Sequence, residues 1–111
     1  MTAEKIREVV MAFAAEVKRV YGTAFDEMIL YGSCARGDFE EDSDIDILIL
    51  LDVPREAISH EQSKIFPISD KLDWEYDVVL TPVLQSSQVY RKYKNVSCFY
   101  QNIEKEGVKI A

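Results

Sequence analysis

Gly32-Ser33-Cys34-Ala35-Arg36-Gly37, an acidic loop from Asp38 to Asp42, and Ser43-Asp44-Ile45-Asp46-Ile47-Leu48-Ile49-Leu50-Leu51 follow one another without a break. The last segment is the strongest strand signal in the chain, a nearly continuous β-branched and apolar run that reads as a central strand. Immediately upstream, within Glu27 to Tyr31, the run Met28-Ile29-Leu30-Tyr31 stops at Gly32-Ser33, the pattern of a buried strand entering a tight turn. Ala35-Arg36-Gly37 fits only a brief helical turn between the two.

Outward from this centre the punctuation is helical. From Thr2 to Tyr21, Ile6, Val9, Val10, Phe13, Val17 and Val20 recur at three- and four-residue steps, with Thr2 placed to cap and Gly22 to stop an amphipathic helix. Asp52 precedes a helix expected from about Pro54 through Arg55, Ile58 and Lys64, which Pro67 must kink or restart. Trp74 to Leu80 reads as a third strand, ending at Thr81-Pro82, with Thr81 capping a polar segment to Lys94. A last helix, about Val96 to Glu106, closes at Gly107, and Val108-Lys109-Ile110 is an extended tail. The order helix, strand, strand, helix, strand, helix predicts an α/β or α+β sheet covered by helices. With 111 residues, 48% hydrophobic and 30% charged, residues 1–111 are expected to form one domain, without repeats or linkers.

The formal charge of −7 argues against a long nucleic-acid groove, because such affinity rests on Lys and Arg neutralising phosphates. It does not exclude a nucleotide held through cations. No apolar run approaches the roughly 20 residues of a membrane-spanning helix, and no secretory core is present, so a cytoplasmic domain is expected. Cys34 and Cys98 lack CxxC spacing and read as reduced thiols.

Asp44 and Asp46, two apart on a strand, send their carboxylates to one face while Ile45, Ile47 and Ile49 pack the other. Adjacent carboxylates repel unless a hard cation sits between them, and Mg²⁺ accepts a few carboxylates together with phosphate oxygens. Gly32 permits the sharp turn that aims Ser33 and the following amides at a ligand, and Arg36 adds a permanent positive charge for phosphate. Asp77, interrupting the apolar run around Val78-Val79-Leu80, is the candidate third oxygen ligand; Asp73 and Glu75 share its parity. An unpaired carboxylate within such a strand would cost several kcal/mol by order of magnitude.

Competing readings of the same residues fail on spacing. Gly32 and Gly37 frame four residues as a P-loop does, but Asp38-Phe39 stands where Lys-Ser/Thr must follow. Asp42, Asp44 and Asp46 imitate an EF-hand start, but Ile47 and Val53 occupy the required Gly and Glu positions. His60, alone in a polar helix, carries no role, and Cys34 is filler within the motif. Tyr90, Tyr93, Phe99 and Tyr100 read as core or partner surface ahead of a base-stacking platform.

Gly-Ser, ten residues, then Asp-x-Asp, with Ala-Arg-Gly in the gap, resembles the signature of the polymerase-beta-like nucleotidyltransferase superfamily. The short chain, Ser43 to Asp46, Tyr76-Asp77-Val78 and the closing Asn102 to Gly107 resemble the minimal nucleotidyltransferases, or MNT proteins. That resemblance implies a small mixed sheet flanked by helices, Asp44, Asp46 and Asp77 as catalytic metal ligands, and Gly32, Ser33 and Arg36 at the triphosphate. It further implies two Mg²⁺ ions, with Mn²⁺ an alternative, and in-line transfer of a nucleoside monophosphate from a nucleoside triphosphate, ATP as donor. Asp77 would help activate the attacking hydroxyl. The implied setting is an antitoxin that adds AMP to a tyrosine of a HEPN-domain toxin, with homo- or hetero-oligomers both open. Neutralisation by occlusion alone and transfer to a small aminoglycoside-type acceptor are the rival expectations.

Overall fold

The computed structural model describes all 111 residues. Helix α1 (Ala3–Tyr21) starts where the Thr2 hydroxyl oxygen accepts the Lys5 N–H at 3.1 Å. It stops where Gly22 turns to φ 57° and donates its own N–H to Lys18. Its apolar stripe, Ile6, Val9, Val10, Phe13, Ala14, Val17 and Tyr21, is buried.

After one 3₁₀ turn, β1 (Phe25–Tyr31) leads into the single helical turn α2 (Ser33–Arg36), and β2 (Ile45–Leu51) returns antiparallel to β1. A 3₁₀ turn at Arg55–Ala57 opens into α3 (Ile58–Gln62), followed by α4 (Ile65–Tyr76). β3 (Leu80–Ser86) pairs parallel with β2, so the two helices form the crossover that a parallel pair requires. α5 (Ser87–Tyr93) and α6 (Cys98–Glu106) precede β4 (Val108–Lys109), which pairs antiparallel with the far side of β1. The resulting mixed four-stranded sheet has the order β3-β2-β1-β4.

β2 lacks simple alternation because helices cover both its faces. Ile45, Ile47, Ile49 and Leu51 pack with α1 and α4, whereas Leu48 and Leu50 join Ile29, Tyr90 of α5 and Ile103 of α6. Burying each such side chain contributes roughly 1.5–3 kcal/mol.

The expected strand from Trp74 to Leu80 is not formed. Trp74, Glu75 and Tyr76 are the last turn of α4, and Asp77 is its left-handed cap at φ 55° and ψ 53°. Pro67 does mark a restart, but as the third residue of a new helix, where its missing N–H costs nothing because the first four amides have no intrahelical acceptor. Burial of Ile65, Ile68 and Leu72 then carries the helix past the β-prone aromatic residues. Thr81 and Pro82 lie inside β3 rather than at a helix start, Pro82 being tolerated on this edge strand. The α5 cap is Ser86, whose hydroxyl oxygen accepts the Val89 N–H at 3.5 Å.

Candidate active site

The turn after β1 and the start of β2 are locked together by one close approach. Gly32 adopts φ 74° and ψ −157°, and a Cβ built on it would lie 2.5 Å from Oδ2 of Asp46. A side chain at position 32 is therefore refused twice, by backbone conformation and by the Asp46 carboxylate. α2 begins at Ser33, with the Ala35 and Arg36 amides both donating to the Gly32 carbonyl at 3.1 Å.

Asp46 is half-buried and stands across the ladder from Tyr31. Its carboxyl is pushed above the usual aspartate range by burial and then by repulsion from Asp44, with the Arg36 charge opposing. Asp44, exposed at the edge of β2, thus shares the Asp46 face as the strand parity requires. A cation between the two would remove that repulsion. The pair suits a hard dication that takes one or two carboxylates plus substrate phosphate oxygens.

Arg36 lies on the surface at one flank. Its Nε donates to Asp38 and its Nη1 to Glu106 at the end of α6, each at 3.2 Å. Such exposed pairs are weakly stabilising, so Arg36 can exchange them for phosphate at small cost. Tyr31 forms the other flank, its ring edge-on to Phe99 with centroids 5.5 Å apart. Burial, and secondarily the Asp46 charge, push the Tyr31 hydroxyl above its ordinary value. Cys34 is more than filler: it is buried in the main core, and its thiol donates to the Asp44 carbonyl at 3.5 Å. Burial, then the negative charge of Asp46, holds that thiol protonated. Cys34 and Cys98 are both free thiols.

A sequence profile described as "Nucleotidyltransferase domain" matches residues 10–110. The chain belongs to the nucleotidyltransferase domain family. Two Methanocaldococcus jannaschii proteins, both carrying the provisional name protein adenylyltransferase, resemble it closely. One is 32% identical over 96% of this chain and 99% of its own length, the other 36% identical over 86% and 87%. Two solved structures share the fold at 17% identity. A toxin–antitoxin assembly with AMP-PNP has a TM-score of 0.54, covering 89% of this chain and 70% of that one. A mutant of the toxin–antitoxin pair MntA-HpeT has a TM-score of 0.52, covering 88% and 69%.

Within this nucleotidyltransferase domain, Gly32, Ser33, Arg36, Asp44 and Asp46 surround one patch at the mouth of the β1–β2 hairpin. Asp77 is not gathered with them. As the α4 cap it lines a separate depression with Met1, Lys5, Asp42 and Ser43, and nowhere do three acidic, His or Cys side chains converge as a metal-ion cluster. The reason is the helix that replaces the expected strand. Asp73 has a structural task, since its Oδ1 accepts the Leu80 N–H at 2.8 Å and so starts β3. Burial still pushes its carboxyl upward. Glu75 is exposed beside Glu16 and Arg19 of α1, away from the patch. His60 is likewise exposed on α3. Sequence reading gave no role to Tyr31 or Glu106; the signal for Tyr31 was its place directly before Gly32, at the strand end opposite Asp46.

Proposed function

We propose that this nucleotidyltransferase transfers AMP from ATP to a hydroxyl of a partner protein, a tyrosine of a HEPN-domain toxin, and so acts as its antitoxin. The observation that carries the reading is the contact of Gly32 with Asp46, which sets the phosphate-facing turn against the carboxylate pair. Similarity to two chains named as protein adenylyltransferases supports a protein acceptor. The fold shared with toxin–antitoxin assemblies, one of them with AMP-PNP, supports both donor and setting. The absence of any helix long and apolar enough to cross a membrane is compatible with action in the cytoplasm.

Asp44 and Asp46 would hold Mg²⁺ or Mn²⁺, two ions by family resemblance. The chemistry supplied by the bound ions is neutralisation of triphosphate charge and polarisation of the reacting phosphate. Ser33 and the α2 turn orient the phosphates. Arg36 exchanges Asp38 and Glu106 for phosphate oxygens and fixes the donor. The acceptor hydroxyl attacks the α-phosphorus, forming the new P–O bond as the bond to pyrophosphate breaks. Asp77 remains the proposed third carboxylate and proton acceptor, a role that requires it to leave its cap position.

The test is intact-mass spectrometry of a HEPN-domain partner incubated with this chain, ATP and Mg²⁺. The expected result is addition of one or more AMP groups, lost with Asp44→Asn. A tight complex that silences an unmodified partner would replace transfer with neutralisation by occlusion.

A further inference from the structure

The catalytic face carries an aromatic ring that neither the metal nor the phosphate reading uses. Phe99, in the first turn of α6, is 42% exposed; Tyr93 and Val96 nearby are exposed too, but among these side chains it is the one packed against Tyr31. Its neighbours hold it in place. Tyr31 meets it edge-on at 5.5 Å with an interplanar angle of 85°, and Tyr100 packs against it at 5.8 Å. Tyr100 is itself fixed by the Tyr90 ring at 4.9 Å and by accepting the Gln85 amide N–H at 2.8 Å.

This braced ring lies next to the carboxylate pair. Tyr31 is the cross-strand partner of Asp46, so their side chains leave the same face about 4.5–5.5 Å apart at the backbone. Phe99 is one ring farther on. α6 then runs back along the site to Glu106, which bonds Arg36. The patch therefore has a cationic, phosphate-facing flank at Arg36, carboxylates at its centre, and an exposed aromatic surface at the opposite flank. That sequence of chemistries is the sequence along a nucleoside triphosphate.

We propose that Phe99 is a positioning residue for the donor nucleotide, its exposed ring stacking on the nucleobase while Tyr31 braces it edge-on. This rests on the nucleotidyltransferase site assigned above to Asp44 and Asp46. Stacking uses the π-face that every base has, so Phe99 holds the donor without selecting its base.

Isothermal titration calorimetry in Mg²⁺ separates the roles, with AMP-PNP and inorganic tripolyphosphate as probes. Phe99→Ala is expected to weaken AMP-PNP binding about tenfold, within the range for loss of one base stack, and to leave tripolyphosphate binding unchanged. Phe99→Tyr should restore AMP-PNP affinity, whereas Phe99→Leu, similarly apolar but without a π-face, should not. Equal weakening of both probes would make Phe99 a structural residue and overturn the proposal. So would unchanged AMP-PNP affinity in Phe99→Ala. If the wild-type chain binds neither probe, the nucleotide reading of the Asp44–Asp46 site falls first and takes this inference with it.

Discussion

The two faces of the sheet are built for different ends. Beneath α1 and α4, 19 buried residues form one continuous core, and the β2 side chains on that side are covered from Ile45 to Leu51. The face beneath α5 and α6 has five buried residues, and its cover thins out before the strand begins, leaving Asp46 half-buried and Asp44 exposed. A single strand thus supplies stability through its odd positions and chemistry through its first even ones. The apolar side holds the strand rigid, so the carboxylates on the other can be forced together at a cost that packing offsets.

The sharpest way to break this comparison is to remove charge from the chemical face. Asp44→Asn or Asp46→Asn should lower nucleotidyl transfer by more than about a hundredfold, the upper range for disturbing even an outer partner of a metal site. Circular dichroism should show the fold unchanged. Gly32→Ala should be as damaging, because the added methyl group meets Asp46 Oδ2. Normal turnover in Gly32→Ala would show that the contact between turn and strand is not what assembles the site.

The other face answers in stability. Phe13 has no exposed surface, and Phe13→Ala should cost about 3–5 kcal/mol in urea unfolding, a large part of the roughly 5–15 kcal/mol available to a domain. Ile103→Ala, in the thinner layer, is expected nearer the lower end of the aliphatic truncation range, about 2 kcal/mol. Equal losses would mean that the two layers contribute alike despite their sizes.

A smaller effect joins the two faces. The folded-state pKa of Asp46 is raised above its unfolded value by burial and by Asp44. Ionising it therefore costs stability as pH rises through that range, a cost absent below the unfolded pKa and complete above the folded one. At neutral pH without divalent ions, Asp46→Asn should be more stable than the wild type by less than about 1 kcal/mol, because water screens the half-exposed carboxylate from its exposed neighbour. The gain should vanish in acid. Mg²⁺ should raise the melting temperature of the wild type and not of Asp46→Asn. A variant no more stable than wild type at neutral pH would show that the carboxylate pair is not strained.

The comparison also explains which parts were legible in sequence. α1 and β2 declare themselves because each has an unambiguous period or run and clear ends, Thr2 and Gly22 for the helix, the acidic loop for the strand. The turn at Gly32 and the Asp44–Asp46 pair follow from spacing alone. The α4–β3 connection does not. Trp74, Tyr76, Val78 and Val79 favour a strand locally, yet burial of Ile65, Ile68 and Leu72 against the core extends the helix to Tyr76. That packing is a tertiary effect, invisible in a short window. β4 is read only as an extended tail because two residues carry too little pattern; its pairing with Ile29 and Leu30 makes it a strand.

Two opposite expectations meet at Asp77, the residue this connection displaced. Asp77 is an exposed left-handed cap whose own N–H donates to Asp73, and Asn adopts that conformation as readily as Asp. Asp77→Asn therefore preserves the backbone and removes only the charge. If the cap is its resting and working position alike, transfer should stay within a few-fold of wild type and stability within about 0.5 kcal/mol. The proposed third-carboxylate role demands the opposite, a loss on the scale of Asp44→Asn, with Mg²⁺ stabilisation reduced as well. Because the residue stands beside Ser43, one position from Asp44 in sequence, unwinding the last turn of α4 is the movement that would bring it in. Asp77→Gly, which relaxes that turn while also deleting the carboxylate, should then be no more active than Asp77→Asn. Recovery of activity in the glycine variant would place the constraint in the cap and remove the carboxylate from the mechanism.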